Sequence, residues 1–231
     1  MRDPILDKSS SDLLNDLRND FEIEFQEKNI NYCGVYIKNG KSIIDYNPST
    51  FKVEEINHEL LHIWLKRYNY TIGNHIYLIF ESKWKLGKIF TKHLCDYIEN
   101  CFDHNKMYPK YLEMGYEPEK FIRDGHKEQC SINEIRKLHL NFLGKYKADA
   151  INRFIGYLIS IYADHIDRDY SEHLELLEKK EPVLFKIVTD FWNSWIAFDI
   201  TSIDPIFNSE MELVENFMTN IEEWIENKKV K

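Results

Sequence analysis

Hydrophobic positions along the chain change period several times. Leu13, Leu14, Leu17 and Phe21 recur at helical spacing, which predicts a helix from residue 11 to about 26, with Ser9, Ser10 or Ser11 as its cap. The run Tyr32, Cys33, Gly34, Val35, Tyr36, Ile37 is rich in β-formers, as is Ser42 to Tyr46, and Asn39-Gly40 between them is a two-residue turn signal. A β-hairpin is therefore expected here. Asn47, Pro48, Ser49 and Thr50 end the second strand, and Ser49 or Thr50 can cap a helix over 51–66 whose first turn holds Glu54 and Glu55. Residues 68–76 read as irregular and 76–100 as helical, with a break near Gly87. Pro109, Gly115 and Pro118 then punctuate the chain. Ser131 opens a helix to about residue 143, Glu134 completing a capping box. Helical patterns follow over 148–166, 171–180 and 182–198. A last amphipathic helix over 209–228 carries Met211, Val214, Phe217, Met218, Ile221, Trp224 and Ile225 on one side. The expected fold class is α+β, a small β-hairpin and its helix followed by a mostly helical body, divided into a core over 1–110 and a helical extension over 111–231.

Composition narrows the function. Of 231 residues 43% are hydrophobic, which argues against general disorder. Acidic residues outnumber basic ones 39 to 30, for a net charge of -9, and no basic stripe offers itself to nucleic acid. No apolar run approaches the roughly 20 residues that cross a bilayer, and the first residues lack the pattern of a secretory signal. Cys33, Cys95, Cys101 and Cys130 form no CxxC pair and read as reduced thiols, so a cytoplasmic protein is expected, with neither membrane nor nucleic acid as partner.

The sharpest chemical signal is His58-Glu59-Leu60-Leu61-His62. On a helix the two histidines lie one turn apart on one face and can share a zinc ion, while Glu59, about 100° round the helix, can take a proton from water bound to the metal. The competing explanation is a buried helix whose histidines are satisfied by ordinary hydrogen bonds. Leu60, Leu61, Ile63, Trp64 and Leu65 make the helix a buried one, where two imidazoles and a carboxylate are costly without a purpose. A catalytic zinc takes three protein ligands, so a third is required. Asp96, Glu99, Asn100 and Asp103 share a helical face and supply the richest choice, although a solvated face explains the same pattern. Glu99 ranks first, then Asp103, His104 and Asp96. Whichever of Glu99 and Asp103 is not the ligand can accept the free N–H of a liganding histidine. His165 with Asp164, Asp167, Asp169 and His173 is a second possible cluster, more cheaply explained as a solvated helix end. The remaining histidines, His75, His93, His126 and His139, read as ordinary surface or core residues. Tyr68 and Tyr70 can reach an oxyanion but are better read as packing residues. Cys101 is a minor candidate ligand.

The hairpin feeding the helix, residues 32–62 with HExxH, resembles the minimal zincin core and is similar to gluzincin-like peptidases of bacteria and phages, including the ImmA/IrrE type. That resemblance, over about residues 30–105, implies His58 and His62 as zinc ligands, Glu59 as general base and an acidic third ligand on a later helix. Some related families carry N-x-x-E-[DH] there. Asn100 to His104 matches in part, with Asp for Glu, which favours Asp103, whereas the E-x-x-x-D pattern of thermolysin-like enzymes favours Glu99. The expected function is a zinc-dependent metallopeptidase acting on a protein or peptide. The alternatives are a non-catalytic binding protein that retains the core and meets its partner through the helix over 209–228, and a zinc hydrolase of a non-peptide amide or ester.

Overall fold

The computed structural model describes residues 3–69, 71–122, 127–202 and 209–231. The chain forms two units, each of two stretches: Met1–Asn69 with Lys106–Lys127, and Tyr70–Asn105 with Glu128–Lys231. Small mixed β-sheets accompany a mostly helical body, an α+β architecture.

In the first unit, α1 spans Lys8–Leu17, and its cap is Asp7, whose carboxylate accepts the Ser10 N–H at 2.8 Å, rather than one of the serines that follow. The helix expected to reach residue 26 stops at Leu17, and Ile23–Glu27 is strand β1. The correction has a local cause: Ile23 and Phe25 are buried at alternate positions, a period of two that the preceding leucines mask. The hairpin forms as expected from β2 (Gly34–Lys38) and β3 (Lys41–Tyr46), with Asn39 and Gly40 at φ 55° and 79°. Their positive φ values are those a two-residue turn between twisted strands requires. The sheet order is β1-β3-β2, with β1 parallel to β3 (Ile23 opposite Ser42) and β2 antiparallel to it (Gly34 opposite Asp45). The central strand is therefore buried from Ser42 to Tyr46, and β2 is an edge. Helix α2 (Val53–Leu65) follows, packed on α1. Neither Ser49 nor Thr50 caps it, because Asn47 holds that segment in a turn by accepting the Ser49 N–H, and Lys52 occupies the cap position.

The second unit is built on helices α3 (Ile72–Glu81), α4 (Leu86–Ile89), α5 (Lys92–Glu113, up to Asn105), α6 (Ile132–Lys137), α7 (Ala148–Tyr162), α8 (Ser171–Lys180), α9 (Pro182–Ala197) and α10 (Ser209–Ile225). The one helix expected over 76–100 is thus three. The last of them runs on past residue 100 and through Pro109, which forfeits one backbone hydrogen bond but does not end it. The capping box of Ser131 and Glu134 is present, but its helix ends at Lys137. The residues after it form β4 (Asn141–Phe142) and β5 (Lys145–Tyr146), joined through Leu143 and Gly144 at φ 52° and 75°, and β6 (Lys229–Val230) pairs parallel with β5. The core is aromatic: Phe191 stacks on Phe217 and Phe80 on Phe90, both at 4.0 Å between ring centres, and Trp195 stacks on Phe102 while donating to its carbonyl at 3.2 Å. The apolar side of α10 is turned inward, with Val214, Phe217, Ile221, Trp224 and Ile225 buried and the helix packed on α9 and α3. Among the described residues no helix is long and apolar enough to cross a membrane.

Candidate metal centre

Helix α2 buries Ile56, Leu60, Leu61, Ile63 and Leu65, and this apolar stripe fixes its rotation. His58 and His62 then fall on a different side, one turn apart, with ring centres 5.0 Å from each other. The third imidazole is that of His104, on α5 and buried. Donor atoms of His58, His62 and His104 all lie within 4.8 Å of one another, the one such group of three among the described residues. Three imidazoles so grouped could coordinate a metal ion. Three neutral imidazoles suit zinc and leave a fourth position for water.

Glu59 is half-buried, and its Oε2 accepts the backbone N–H of Val35 on edge strand β2 at 3.0 Å. Burial pushes its carboxyl above the usual range, while His62 and the Val35 N–H pull in the opposite direction. A phenyl ring closes one side of His58: Phe121 is buried, with its ring centre 4.9 Å from the imidazole. Beside His58 and Glu59 a cavity of about 130 Å³ is lined also by Tyr32, Cys33, Glu55 and Phe121.

Glu99 and Asp103 are outside the imidazole trio. The Glu99 side chain lies against α3, so close that a Cβ on Gly73 would fall 2.6 Å from it, and the Gly73 backbone hydrogen-bonds its carboxylate. Burial, then the charges of Asp103 and Asp96, push Glu99 up to about 7. Asp96 is exposed and paired with Lys92. His104, ranked third from the sequence, is the residue on α5 that joins the two histidines of α2. It is five residues from Glu99, about 140° round the helix, and stands among Cys101 and Tyr108 rather than on the acidic face.

The other candidates have ordinary partners. In the second cluster, Asp164 receives Arg168 and the Tyr170 hydroxyl, Asp169 holds the Ser171 N–H, and His173 meets Glu128 at 3.0 Å. His165 is half-buried, and desolvation pushes its imidazole down to about 4. His75 pairs with buried Glu210 at 2.9 Å, and His93 and His139 are exposed. The Tyr68 ring packs on Trp64, 5.2 Å away. The thiol of Cys101 is pushed up to about 12 by burial, which suits a core residue. Tyr70 and His126 lie outside the described residues.

Sequence reasoning missed Glu55, Cys33 and Phe121 as neighbours of the site. Glu55 had a legible signal, since it lies one turn before Glu59 on the same helix; Phe121, more than fifty residues away, had none. No family model, curated protein or solved structure matches the chain.

Proposed function

We propose that the protein is a zinc-dependent hydrolase of the zincin kind that cleaves a peptide bond in a protein or peptide. The observation that carries this reading is the gathering of His58, His62 and His104, with Glu59 on the same helix as the first two. An imidazole in third place departs from the acidic ligand of gluzincin-like peptidases, so the proposal rests on the HExxH helix and the donor set rather than on that narrower group. His58, His62 and His104 would hold the ion. Bound there, zinc supplies a Lewis acid that lowers the pKa of a water and polarises a carbonyl.

The chain's own part of the chemistry falls to Glu59. The Val35 N–H anchors Oε2, which orients the carboxylate and leaves Oε1 to accept a proton from water in the cavity and return it to the leaving amine. Phe121, buried against His58, limits the water on one side of that proton transfer. Elemental analysis of the purified chain tests the reading: one zinc per chain is expected, falling on His58→Ala or His104→Ala. A folded protein that stays metal-free and refuses added zinc overturns it.

A further inference from the structure

The cavity beside His58 contains a carboxylate that the proposed chemistry does not use. Glu55 stands one turn before Glu59 on α2, and both line the cavity with His58. Glu59 has the Val35 N–H as partner. Glu55 is half-buried, and among the described residues its carboxylate accepts only from the Cys33 thiol, a weak donor at 3.6 Å. The lysine at the rim is engaged elsewhere: Lys120 Nζ lies 3.1 Å from Glu54 and 3.1 Å from Glu117. The first turn of α2 is a favourable place for an anion, since the helix dipole presents its positive end there.

Removing a carboxylate partly from water without giving it a cation is costly. The rings of Tyr32 and Phe121 and the side chain of Ile122 make the apolar part of the cavity's lining, which Glu59 and Lys120 share. The recess therefore combines apolar walls with two carboxylates, of which Glu59 is held by a backbone N–H and Glu55 only by a thiol. A group with an apolar stem and a cationic nitrogen matches both features, the stem covering the rings and the nitrogen replacing the weak thiol contact with a charge-assisted hydrogen bond.

We infer that Glu55 is the specificity-determining residue of the site and that the cavity takes a cationic nitrogen on an apolar stem, which makes the substrate a basic peptide. The inference rests on the peptidase reading proposed above. Such a nitrogen comes either from a lysine or arginine side chain or from the free amine at a peptide's start.

Three probes separate these sources: acetyl-Ala-Lys-Ala-amide, acetyl-Ala-norleucine-Ala-amide, and Ala-norleucine-Ala-amide with a free amine. Their binding to the full chain is measured calorimetrically at low salt with zinc present, in the Glu59→Gln background so that they stay intact. At least one cationic probe is expected to bind ten-fold or more tighter than the neutral one, the lysine probe if the side chain is read and the free-amine probe if the terminus is. Adding Glu55→Gln, which keeps the shape and removes the charge, is expected to abolish that preference. Equal binding of all three probes, no binding of any, or a preference that survives Glu55→Gln overturns the inference. Zinc is assayed on the same samples. A zinc-loaded chain without the preference defeats this inference alone, whereas a chain that takes up no zinc defeats the metal reading beneath it.

Discussion

Glu59 has one oxygen held by a backbone N–H and a position beside His58 in the cavity, and these two facts define what its substitution should do. Glutamine keeps the shape and can still accept from Val35, but it cannot take a proton. Glu59→Gln is expected to lower hydrolysis by about 10²–10⁴-fold with zinc content and fold unchanged, as read by a peptide-library assay beside elemental analysis and circular dichroism. Equal activity of the two proteins would remove Glu59 as the base. Glu99 permits a prediction of a different kind. Its folded-state pKa is raised to about 7 from an ordinary 4.5. Between those values the native state holds a proton that the unfolded chain has released, so Glu99 costs stability as pH rises through this window and costs nothing below it. The full shift would correspond to about 3 kcal/mol, and partial contact with solvent reduces this to roughly 1–2 kcal/mol. Zinc-free Glu99→Gln should therefore be more stable than the parent by that amount at pH 8 and no different near pH 4.5, as urea unfolding at the two pH values will show. A variant less stable at pH 8 would mean that the carboxylate is held by a cation.

At the scale of elements, the hairpin was legible because Asn39-Gly40 satisfies a stereochemical demand that few residue pairs meet, and the HExxH helix because its apolar stripe and its histidines lie on different sides. Strand β1 was not legible: five residues are too few for a period of two to stand out beside a stronger helical stripe. The β4–β5 hairpin was hidden for a related reason. Its turn places Leu143, 84% exposed, at φ 52°, a conformation that side chains with a Cβ resist and a residue no turn rule would select. Leu143→Asn, which makes the turn Asn-Gly, should raise stability by roughly 0.5–1 kcal/mol, read as a shift of the urea midpoint without a change of slope. A loss of stability would show that the leucine side chain has an apolar contact outweighing the strain.

For the whole chain, metal and stability are linked by mass action. An ion that binds the folded state alone stabilises it by about 2.7 kcal/mol when its free concentration is a hundred times its dissociation constant. The unfolding transition should therefore move up with added zinc and down with a chelator, and His58→Ala and His104→Ala should each weaken the response. A full zinc response in His104→Ala would hand the third position to a carboxylate, with Glu99 and Asp103 the residues to substitute next. The net charge of -9 works alongside this: an acidic surface attracts cationic ligands over distances of about a Debye length, so binding of the basic peptides proposed for the Glu55 recess should weaken as salt rises.

The sequence by itself determined what local physics can express: the helix that sets two imidazoles and a carboxylate within one turn, the turn that must be Asn-Gly, the capping box at Ser131, the aromatic supply of the helical body. Only the tertiary structure brought a third imidazole near the two of α2. An acidic helix face attracts attention because it is patterned, but carboxylates form such a face largely because water accepts them there. His104 stands instead among buried residues of α5, and nothing local marks a buried histidine as a candidate ligand until two others are brought within 4.8 Å of it. The same holds for Phe121 on His58 and for the recess around Glu55: each is a meeting of side chains distant in sequence, and folding alone makes it.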